Sequence, residues 1–254
     1  MARTRSTSFS VALAETEEDV RAAQRLRYDV FVEELGGGGA LVDHEARLEQ
    51  DRFDPFVDHL ILRDSSDNRI VGVYRVMRRD QADQAGQFYS ADEYDLDALL
   101  GCGRPLLELG RSCLHRDYRG GMAMYHLWNG LARYIAEHQI EILFGVASFH
   151  GTDPASYAQA LSLLHYRHLA PDQIRPRARK SGFQAMNLVA ESDINRIAAM
   201  KQVPSLIKAY IRLGGFVGEG AFIDKAFNTT DVCLILDTAA MNETQAQIYK
   251  GGNG

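Results

Sequence analysis

Charged residues recur in four short motifs of the N-terminal half, and their side chains can bind charged ligands or transfer protons. In chain order, the motifs are Arg27-Tyr28-Asp29-Val30-Phe31, Glu49-Gln50-Asp51-Arg52-Phe53-Asp54, Arg75, and Glu108-Leu109-Gly110-Arg111. Carboxylates act as general bases, and guanidinium groups bind anions through two parallel hydrogen bonds. The alternative is a set of structural ion pairs, such as Arg111 with Asp51 or Asp54.

The first motif lies on a predicted helix. Thr16 can cap its N-terminus, and the acids at 17–19 suit the positive end of the helix dipole. Apolar residues then recur at helical spacing until the four glycines at 36–39, where the helix must end. Arg27 and Phe31 are four residues apart and therefore share one face of this helix.

The other motifs lie on a predicted loop and on predicted strands. Residues 43–58 hold six acids against two arginines, which predicts a flexible, solvated loop. Strands are predicted at 59–63, 70–77, 106–113, 142–147, 183–189 and 231–236, and helices at 122–137, 153–169 and 204–213. Because an antiparallel hairpin precedes a strand–helix–strand crossover, we expect an α/β (α+β mixed sheet) fold with helices on both faces.

Composition narrows the function classes. The 254 residues include 28 Lys and Arg against 34 Asp and Glu, and the resulting net charge of −6 argues against nucleic-acid binding. No apolar run approaches the ~20 residues that cross a bilayer, and no apolar segment follows residues 1–5, so we expect a cytoplasmic protein. The three cysteines, Cys102, Cys113 and Cys233, are far apart and fit reduced thiols, and we expect no metal site.

Taken in order, the four motifs resemble the acyl-homoserine lactone synthases and their relatives in the GNAT acyltransferase superfamily. The family pattern is R-x-x-x-F, E-x-D-x-[YF]-D, a strand arginine and E-x-x-R, and this sequence matches it over about residues 16–150. The resemblance implies a GNAT acyltransferase fold with a C-terminal extension. We expect a single domain over residues 1–254, with a core at about 10–190, an elaboration at about 191–245 and a disordered tail at 250–254.

The segment at 115–123 is similar to the GNAT donor loop, whose backbone amides bind an anion at a helix N-terminus. The residues assigned by this likeness are Arg119, Gly120, Gly121 and Met122. Because Met122 and Met124 stand where the superfamily has small residues, the donor is expected to be 3-hydroxyacyl-phosphopantetheine on acyl carrier protein rather than coenzyme A. The protein itself would then bind no cofactor.

The C-terminal part resembles the bacterial ornithine N-acyltransferases of aminolipid synthesis. This likeness rests on residues 148–154, 204–215 and 224–232, and the glycines at 36–39 replace a Trp that is usual in lactone synthases. It implies transfer of a 3-hydroxyacyl group from acyl carrier protein to the α-amine of L-ornithine, giving lyso-ornithine lipid. The alternatives are a glutamine N-acyltransferase, a lactone synthase, and a non-catalytic lipid- or carrier-binding relative.

The same resemblance assigns roles to the motif residues. An amine attacks a thioester only when unprotonated, so a base is expected, with Glu108 as the first candidate and His150 as the second. Backbone N–H groups of Gly110, Arg111 and Ser112 would stabilise the oxyanion. The substrate-binding residues would be Arg27, Arg75 and Arg111 for the amino-acid carboxylate, and Glu49, Asp51 and Asp54 for the δ-ammonium group. Phe31 would line the acyl path or pack in the core.

Two surfaces are predicted to meet partners. Acyl carrier proteins are acidic, and the basic residues expected to dock one are Arg167, Arg175, Arg177, Arg179 and Lys180. The alternatives for this stretch are a solvated loop and contact with anionic lipid. A lipid-like product also suggests peripheral contact with the inner membrane, for which the apolar stripe of the helix at 204–213 could serve unless it packs in the core.

Overall fold

The computed structural model describes residues 8–241, and these form eleven strands and seven α-helices. The strands are β1 (Phe9–Leu13), β2 (Asp58–Asp64), β3 (Arg69–Arg78), β4 (Tyr94–Asp95), β5 (Leu106–Leu114), β6 (Ile142–His150), β7 (Arg177–Ala178), β8 (Phe183–Gln184), β9 (Phe216–Val217), β10 (Ala221–Asp224) and β11 (Thr229–Asp237). The helices are α1 (Glu17–Arg27), α2 (Arg79–Ala85), α3 (Asp97–Gly101), α4 (Ala123–Glu137), α5 (Ala158–His168), α6 (Arg196–Gln202) and α7 (Ser205–Arg212).

The chain forms two compact units that alternate along the sequence. Of the described residues, the first unit contains 8–77 and 109–138, and the second contains 78–108 and 139–241. Strand β5 passes from the second unit to the first after Glu108. The expected single domain, with a boundary near residue 190, stays a prediction.

The first unit is built on an antiparallel sheet. β1 pairs with β2, and β2 pairs with β3 in the predicted hairpin, with a bulge between Leu62 and Arg63. Helix α4 crosses this sheet closely at Gly130, where an added Cβ would lie 2.3 Å from the Val11 side chain. Apolar residues of α1, the turn after it, β2, β3 and the second part of β5 form a core cluster, consisting of Ala23, Leu26, Val30, Ile61, Ile70, Val73 and Cys113.

The second unit adds the parallel element of the fold. The first part of β5 pairs in parallel with β6, from Leu106 opposite Ile142 to Glu108 opposite Phe144. Strand β6 pairs along its whole length with the buried strand β11 in antiparallel register, and β10 and β8 follow. Together with the antiparallel first unit, this confirms the predicted mixed sheet.

Most predicted elements are present, with differences where segments are short. The strand expected at 183–189 is only β8, because the chain turns away after two residues. β1, β10 and α6 were not predicted, since each is seven residues or fewer and its apolar pattern is weak. The expected disorder at 250–254 lies outside the described residues.

The apolar stripe of helix α7 is partly buried. Ile207 and Tyr210 are buried within the second unit, which favours the core alternative, whereas Leu206 and Ile211 are half-buried. Contact of this helix with a membrane stays a prediction. Over residues 8–241, we find no helix with the length and apolar character needed to span a bilayer.

Candidate active site

The first unit places Arg27 and Phe31 near the C-terminal end of α1. Thr16 caps the helix by accepting the amide hydrogen of Asp19 at 3.1 Å. The chain then continues without a break as a π-helix (Tyr28–Glu34), a form that is frequent at functional sites. Arg27 is fully buried, and Phe31 packs against the core of the unit. This packing supports the core alternative for Phe31, whose place in the acyl path stays a prediction.

The second half of the acidic segment after the π-helix is buried rather than solvated, whereas residues 44–47 are exposed as predicted. Asp51 Oδ1 accepts the amide hydrogen of Phe53 at 2.9 Å, and a 3-10 turn (Asp54–Phe56) follows. Glu49 is only 1% exposed and Asp54 only 8%. For these two acids the prediction of a solvated loop was wrong, because it considered the charges of the segment alone, whereas arginines from other elements neutralise them.

Six side chains of the first unit form one arginine–carboxylate cluster, which consists of Arg27, Glu49, Asp51, Asp54, Arg75 and Arg111. Arg27 lies at its buried end: Nε donates to Glu49 Oε2 at 2.5 Å, and Nη1 and Nη2 donate to the two oxygens of Asp54 at 2.9 and 3.1 Å. Gln24, three residues earlier on α1, donates to Asp54 Oδ2 at 2.9 Å. This is bidentate pairing in a site closed to water.

Arg75 and Arg111 bring two strands into the cluster. Arg75 Nη1 donates to Asp51 Oδ2 at 2.6 Å and to Asp54 Oδ1 at 2.9 Å. Arg111 Nε donates to Glu49 Oε1 at 3.0 Å, and its Nη2 donates to Asp51 Oδ2 at 3.3 Å. Arg111 and Asp51 therefore form one of the structural ion pairs expected as the alternative to ligand binding. Three guanidinium groups balance three carboxylates, so the cluster carries no net charge when all six are ionised.

Exposure divides the cluster into a buried part and a surface part. Only the side chains of Asp51 and Arg111 keep appreciable exposure, 18% and 13%. Arg111 also has φ +51°, a left-handed conformation that breaks the regular alternation of β5 at the motif. A ligand would therefore meet Asp51 and Arg111 first, and the other four residues hold these two in place.

Burial and charge compete in setting the acidity of the cluster. Burial alone would raise the pKa of each carboxyl group, but the neighbouring arginines outweigh it. Arg111 and Arg27 lower the pKa of Glu49, Arg75 and Arg111 lower that of Asp51, and Arg27 and Arg75 lower that of Asp54 most strongly. All three are carboxylates at neutral pH and are poor proton acceptors.

A buried histidine that the sequence motifs did not indicate lies beside the cluster. His59 on β2 is opposite Arg75 on β3 and is 3% exposed. Burial lowers its pKa to about 4, with Arg27 and Arg75 acting in the same direction and Asp54 opposing them. His59 is therefore neutral at pH 7, and it adds no charge to the balanced cluster. A lone histidine inside an apolar strand gave no sequence signal for this position.

The predicted donor loop connects β5 to α4 in the first unit. It contains a 3-10 turn (Arg116–Tyr118), and Gly120 has φ +76°, a conformation that favours glycine. Arg119 fixes the loop, since its Nε donates to the Leu114 carbonyl at 3.0 Å and its Nη1 to Glu34 at 2.8 Å. A Cβ at Gly120 or at Gly121 would meet nothing within 4 Å, so the backbone here is open to approach.

Met122 and Ser112 flank that loop in sequence. Met122 stands before the first turn of α4, 58% exposed, and makes no side-chain capping bond. Gly110 and Ser112 are half-buried on β5. The anion-binding role of the loop and the oxyanion role of the β5 amides stay predictions.

Glu108, the first candidate base, lies in the second unit and has well-defined backbone partners. Its Oε2 accepts the amide hydrogen of Tyr89 at 2.8 Å, and its Oε1 accepts that of Ser90 at 2.6 Å. The side chain is 4% exposed. Because both oxygens already accept hydrogen bonds, this geometry favours a role in holding the 3-10 turn (Tyr89–Asp92) over proton transfer. His150, the second candidate, is exposed at the end of β6 opposite Thr229.

The expected docking residues for acyl carrier protein lie in the second unit beside acids. Arg167 pairs with Glu191 at 2.7 Å, Arg175 with Asp172 at 2.7 Å, and Arg177 with Glu219 at 3.5 Å. Arg179 Nε donates to the Ala91 carbonyl at 2.6 Å, and Lys180 is exposed. Arg175 and Arg177 also line a surface pocket of about 370 Å³ together with four acids, namely Asp95, Asp97, Asp172 and Glu219. The stretch is therefore less positive than its sequence predicts, and its docking role stays a prediction.

Known proteins resemble this chain in sequence and in fold. A family model described as an acetyltransferase (GNAT) domain matches residues 26–129. An L-ornithine N(alpha)-acyltransferase of Rhodobacter capsulatus is 58% identical over 247 residues, covering 95% of each chain, and one of Brucella abortus is 42% identical, covering 95% of this chain and 89% of that relative. The solved structure of the acyl-homoserine lactone synthase LasI aligns over 97% of this chain and 96% of its own, with 16% identity and a TM-score of 0.52. These likenesses confirm the predicted GNAT fold.

Proposed function

Because this chain belongs to the family of L-ornithine N(alpha)-acyltransferases, we propose that it transfers a 3-hydroxyacyl group from acyl carrier protein to the α-amine of L-ornithine. The observation that carries the choice of acceptor is the high identity, over nearly the whole chain, to relatives of that name. The lactone synthase likeness is confined to the fold, since identity there is low. The product would be lyso-ornithine lipid.

The arginine–carboxylate cluster supports an acceptor that carries both signs of charge. Ornithine has one carboxylate and two amino groups, so it needs a cation and an anion from the protein. Arg111 can bind the carboxylate through two hydrogen bonds, and Asp51 can bind the δ-ammonium group. These two side chains are the exposed part of the cluster, and the hydrogen bond between them is 3.3 Å long.

The four buried residues of the cluster would act as positioning residues. They are Arg27, Glu49, Asp54 and Arg75. Arg75 and Glu49 contact the exposed pair directly: Arg75 binds Asp51, and Glu49 binds Arg111. Arg27 and Asp54 in turn hold Glu49 and Arg75. Breaking a buried ion pair of this network costs stability, so its members stay in place. They therefore fix the distance between the charges of Asp51 and Arg111.

The donor side of the proposal rests on the loop between β5 and α4. A phosphopantetheine arm carries a single phosphate, which the amides around Gly120 and Gly121 could bind at the N-terminus of α4. The bulky Met122 at this position favours a small phosphate cradle over one that wraps a pyrophosphate. We expect that acyl carrier protein approaches the second unit through Lys180 and the exposed arginines Arg177 and Arg179.

In the reaction, the neutral α-amine of ornithine attacks the thioester carbonyl carbon. The new C–N bond forms, the C–S bond breaks, and the carrier-protein thiol leaves with a proton. The amine loses one proton overall, for which the exposed His150 or solvent is a better acceptor than the engaged carboxylate of Glu108. Glu108 would act by holding the turn at Tyr89–Asp92. Backbone amides of Gly110 and Ser112 would stabilise the oxyanion.

We expect the reaction to take place in the cytoplasm, where acyl carrier proteins supply acyl groups. The product pairs a charged headgroup with an acyl chain, so it would partition into the inner membrane, and peripheral contact of the enzyme with that surface would ease its release.

The test supplies purified protein with 3-hydroxyacyl-acyl carrier protein or 3-hydroxyacyl-coenzyme A, and with ornithine, glutamine or no amino acid. Mass spectrometry identifies the products. We expect N-acylornithine with the carrier-protein donor, and little product with glutamine or with coenzyme A. Product with glutamine alone would refute the acceptor, equal rates with both donors would refute the carrier-protein preference, and no N-acyl product at all would refute the enzyme activity.

A matched pair of variants tests the place of acceptor binding. Arg111→Lys keeps the positive charge but removes the planar fork, whereas Arg47→Lys makes the same change in an exposed arginine that pairs with Asp29 and Glu33. The first variant should raise the KM for ornithine and the second should leave it unchanged. Equal KM values in both variants would remove Arg111 from the binding site.

A further inference from the structure

Helices α6 and α7 of the second unit lie in a stretch of chain that carries only positive charge. Residues 194–218 include four Lys and Arg and no Asp or Glu, whereas the whole chain has a net charge of −6. The predicted docking stretch for acyl carrier protein differs, because three of its arginines pair with acids. An acidic protein is repelled by an anionic surface unless its positive charges are gathered in one place. The stretch around α6 and α7 provides such a place.

Three of these cations and one large apolar side chain lie on adjoining helix faces. Ile197 and Lys201 are four residues apart on α6, as are Lys208 and Arg212 on α7, so each pair shares one face of its helix. Lys208 Nζ donates to the Lys201 carbonyl at 3.4 Å, which brings the two faces together. The fourth cation, Arg196, is exposed beside Ile197 at the start of α6. We call these five residues the α6–α7 patch.

The positive charge of the patch is not neutralised by acids of the described chain. Among residues 8–241, its four cations form no ion pair with Asp or Glu. Three of them are exposed, and Lys208 is half-buried. The acids that precede α6 are Glu191, which pairs with Arg167 at 2.7 Å, and Asp193, which accepts the hydroxyl hydrogen of Ser192 at 3.0 Å. The charge of the patch therefore faces solvent and attracts anionic surfaces.

Ile197 gives the patch an apolar centre. It is 74% exposed, the largest exposed fraction of any large apolar side chain in residues 8–241. Helix α6 packs inward through Ala199, which is fully buried. Because residues two apart on a helix point to nearly opposite sides, Ile197 lies away from that contact. An exposed isoleucine among cations matches a surface that has negative charge outside and hydrocarbon beneath.

A membrane surface fits these features better than an acidic protein does. Basic segments bind the negative headgroups of a membrane, and an apolar side chain on the same face enters the boundary beneath them. A bilayer accepts that side chain at any point of its surface, whereas a protein needs an apolar pocket that matches the position of Ile197. The patch therefore suits a fluid surface more than one fixed partner.

We propose that the α6–α7 patch binds the anionic lipid surface of a membrane. Its four cations would lie at the level of the lipid phosphates, and Ile197 would enter the boundary with the acyl chains. The inference deepens the proposed function, because it names the surface through which a lipid product would pass into the membrane, and it rests on that function only for this last step. The binding itself requires no acyl donor or acceptor.

Cosedimentation with vesicles tests the proposal on the full-length protein. The vesicles consist of phosphatidylcholine alone or of phosphatidylcholine mixed with anionic phosphatidylglycerol. We expect binding to the anionic vesicles, weakening as the NaCl concentration rises, and little binding to the neutral ones. Each Lys or Arg near such a surface contributes about 5-fold to the partition coefficient. Lys201→Gln should therefore bind about 5-fold more weakly than the wild type, and Lys201→Gln/Lys208→Gln about 25-fold more weakly.

Two more variants separate the patch from overall charge and from charge alone. The matched control is Lys225→Gln, which removes an exposed lysine of the same unit outside the patch and should retain wild-type binding. Ile197→Ser keeps every charge and should weaken binding to anionic vesicles on the order of 10-fold. The unfolding midpoint of each variant verifies that it folds, since all four substitutions change side chains at the surface.

Three results would overturn the proposal. The first is wild-type protein that binds anionic vesicles no better than neutral ones. The second is equal binding by Lys201→Gln and Lys225→Gln, which would show that no particular surface is used. The third comes from measuring acyl carrier protein with the same variants: if Lys201→Gln/Lys208→Gln loses carrier-protein binding but keeps vesicle binding, the patch docks that protein instead. Because vesicle binding is measured without substrates, its failure is distinguishable from failure of the acyltransferase activity.

Discussion

Replacing Asp54 with Asn should destabilise the protein far more than the loss of an exposed charge. Asp54 accepts two hydrogen bonds from Arg27, one from Arg75 and one from Gln24, all between 2.9 and 3.1 Å. Asn keeps one acceptor oxygen and turns an NH₂ group toward donors, so buried arginine hydrogens lose their partner. Removing one member of a buried ion pair costs about 3–5 kcal/mol, and we expect a decrease of that size in the free energy of unfolding.

Urea unfolding followed by the fluorescence of Trp128, the single tryptophan, measures this change in the unit that holds the cluster. The matched control in the same unit is Asp29→Asn, which removes an exposed acid paired with Arg47. Exposed pairs of this kind contribute about 0.2–1 kcal/mol. Equal, small losses in the two variants would refute the view that the cluster is a tightly coupled, buried network.

The pH dependence of the same difference has a defined sign. The arginines hold the pKa of Asp54 well below the value of about 3.9 that it has in an unfolded chain. A carboxyl group with a depressed pKa stabilises the fold fully above the unfolded value and loses this effect as the pH falls through the folded value. The difference between wild type and Asp54→Asn should therefore be constant from pH 7 to about 5 and shrink below about 4. A difference that grew toward low pH would contradict this assignment.

Three further predictions concern packing, the role of Glu108 and substrate binding. Gly130→Ala should cost about 1–3 kcal/mol of unfolding free energy, because the added Cβ would lie 2.3 Å from a β1 side chain, whereas Gly101→Ala, with open space around it, should not. Glu108→Gln should lower kcat but keep the shape of the wild-type pH–rate profile, because the variant loses one of the two hydrogen bonds to the turn and does not lose a general base. Disappearance of the acidic limb of the profile would instead identify Glu108 as the base. Arg111→Lys should raise the KM for ornithine on the order of 10-fold with a smaller change in the KM for the acyl donor, and steady-state kinetics with each substrate varied checks this split.

The sequence predicted the elements whose local signals are strong. Thr16 and the acids after it marked the start of α1, and the spacing of Arg27 and Phe31 placed both on one face. The hairpin of β2 and β3 followed from two apolar runs around a polar turn. β1 escaped prediction because a five-residue edge strand shows little alternation, and its place is fixed by pairing with β2.

Local sequence cannot predict which arginine pairs with which carboxylate within the site. The motif residues of the first unit did converge, and Arg111 with Asp51 is one of the ion pairs expected as the structural alternative. The depth of burial of Glu49 and Asp54, however, depends on arginines 21 to 62 residues away along the chain. For the same reason the predicted basic stretch proved partly neutral. Asp172 is close to Arg175 in sequence, whereas Glu219 meets Arg177 only through folding.

The measurement that tests the central claim most directly is the position of the new amide bond in the product. The wild-type protein is incubated with 3-hydroxyacyl-acyl carrier protein and ornithine, and fragmentation mass spectrometry locates the acyl chain. Acylation of the α-nitrogen, with the δ-amine free, is the predicted result. Acylation of the δ-nitrogen, or recovery of unchanged ornithine beside intact thioester, would contradict it.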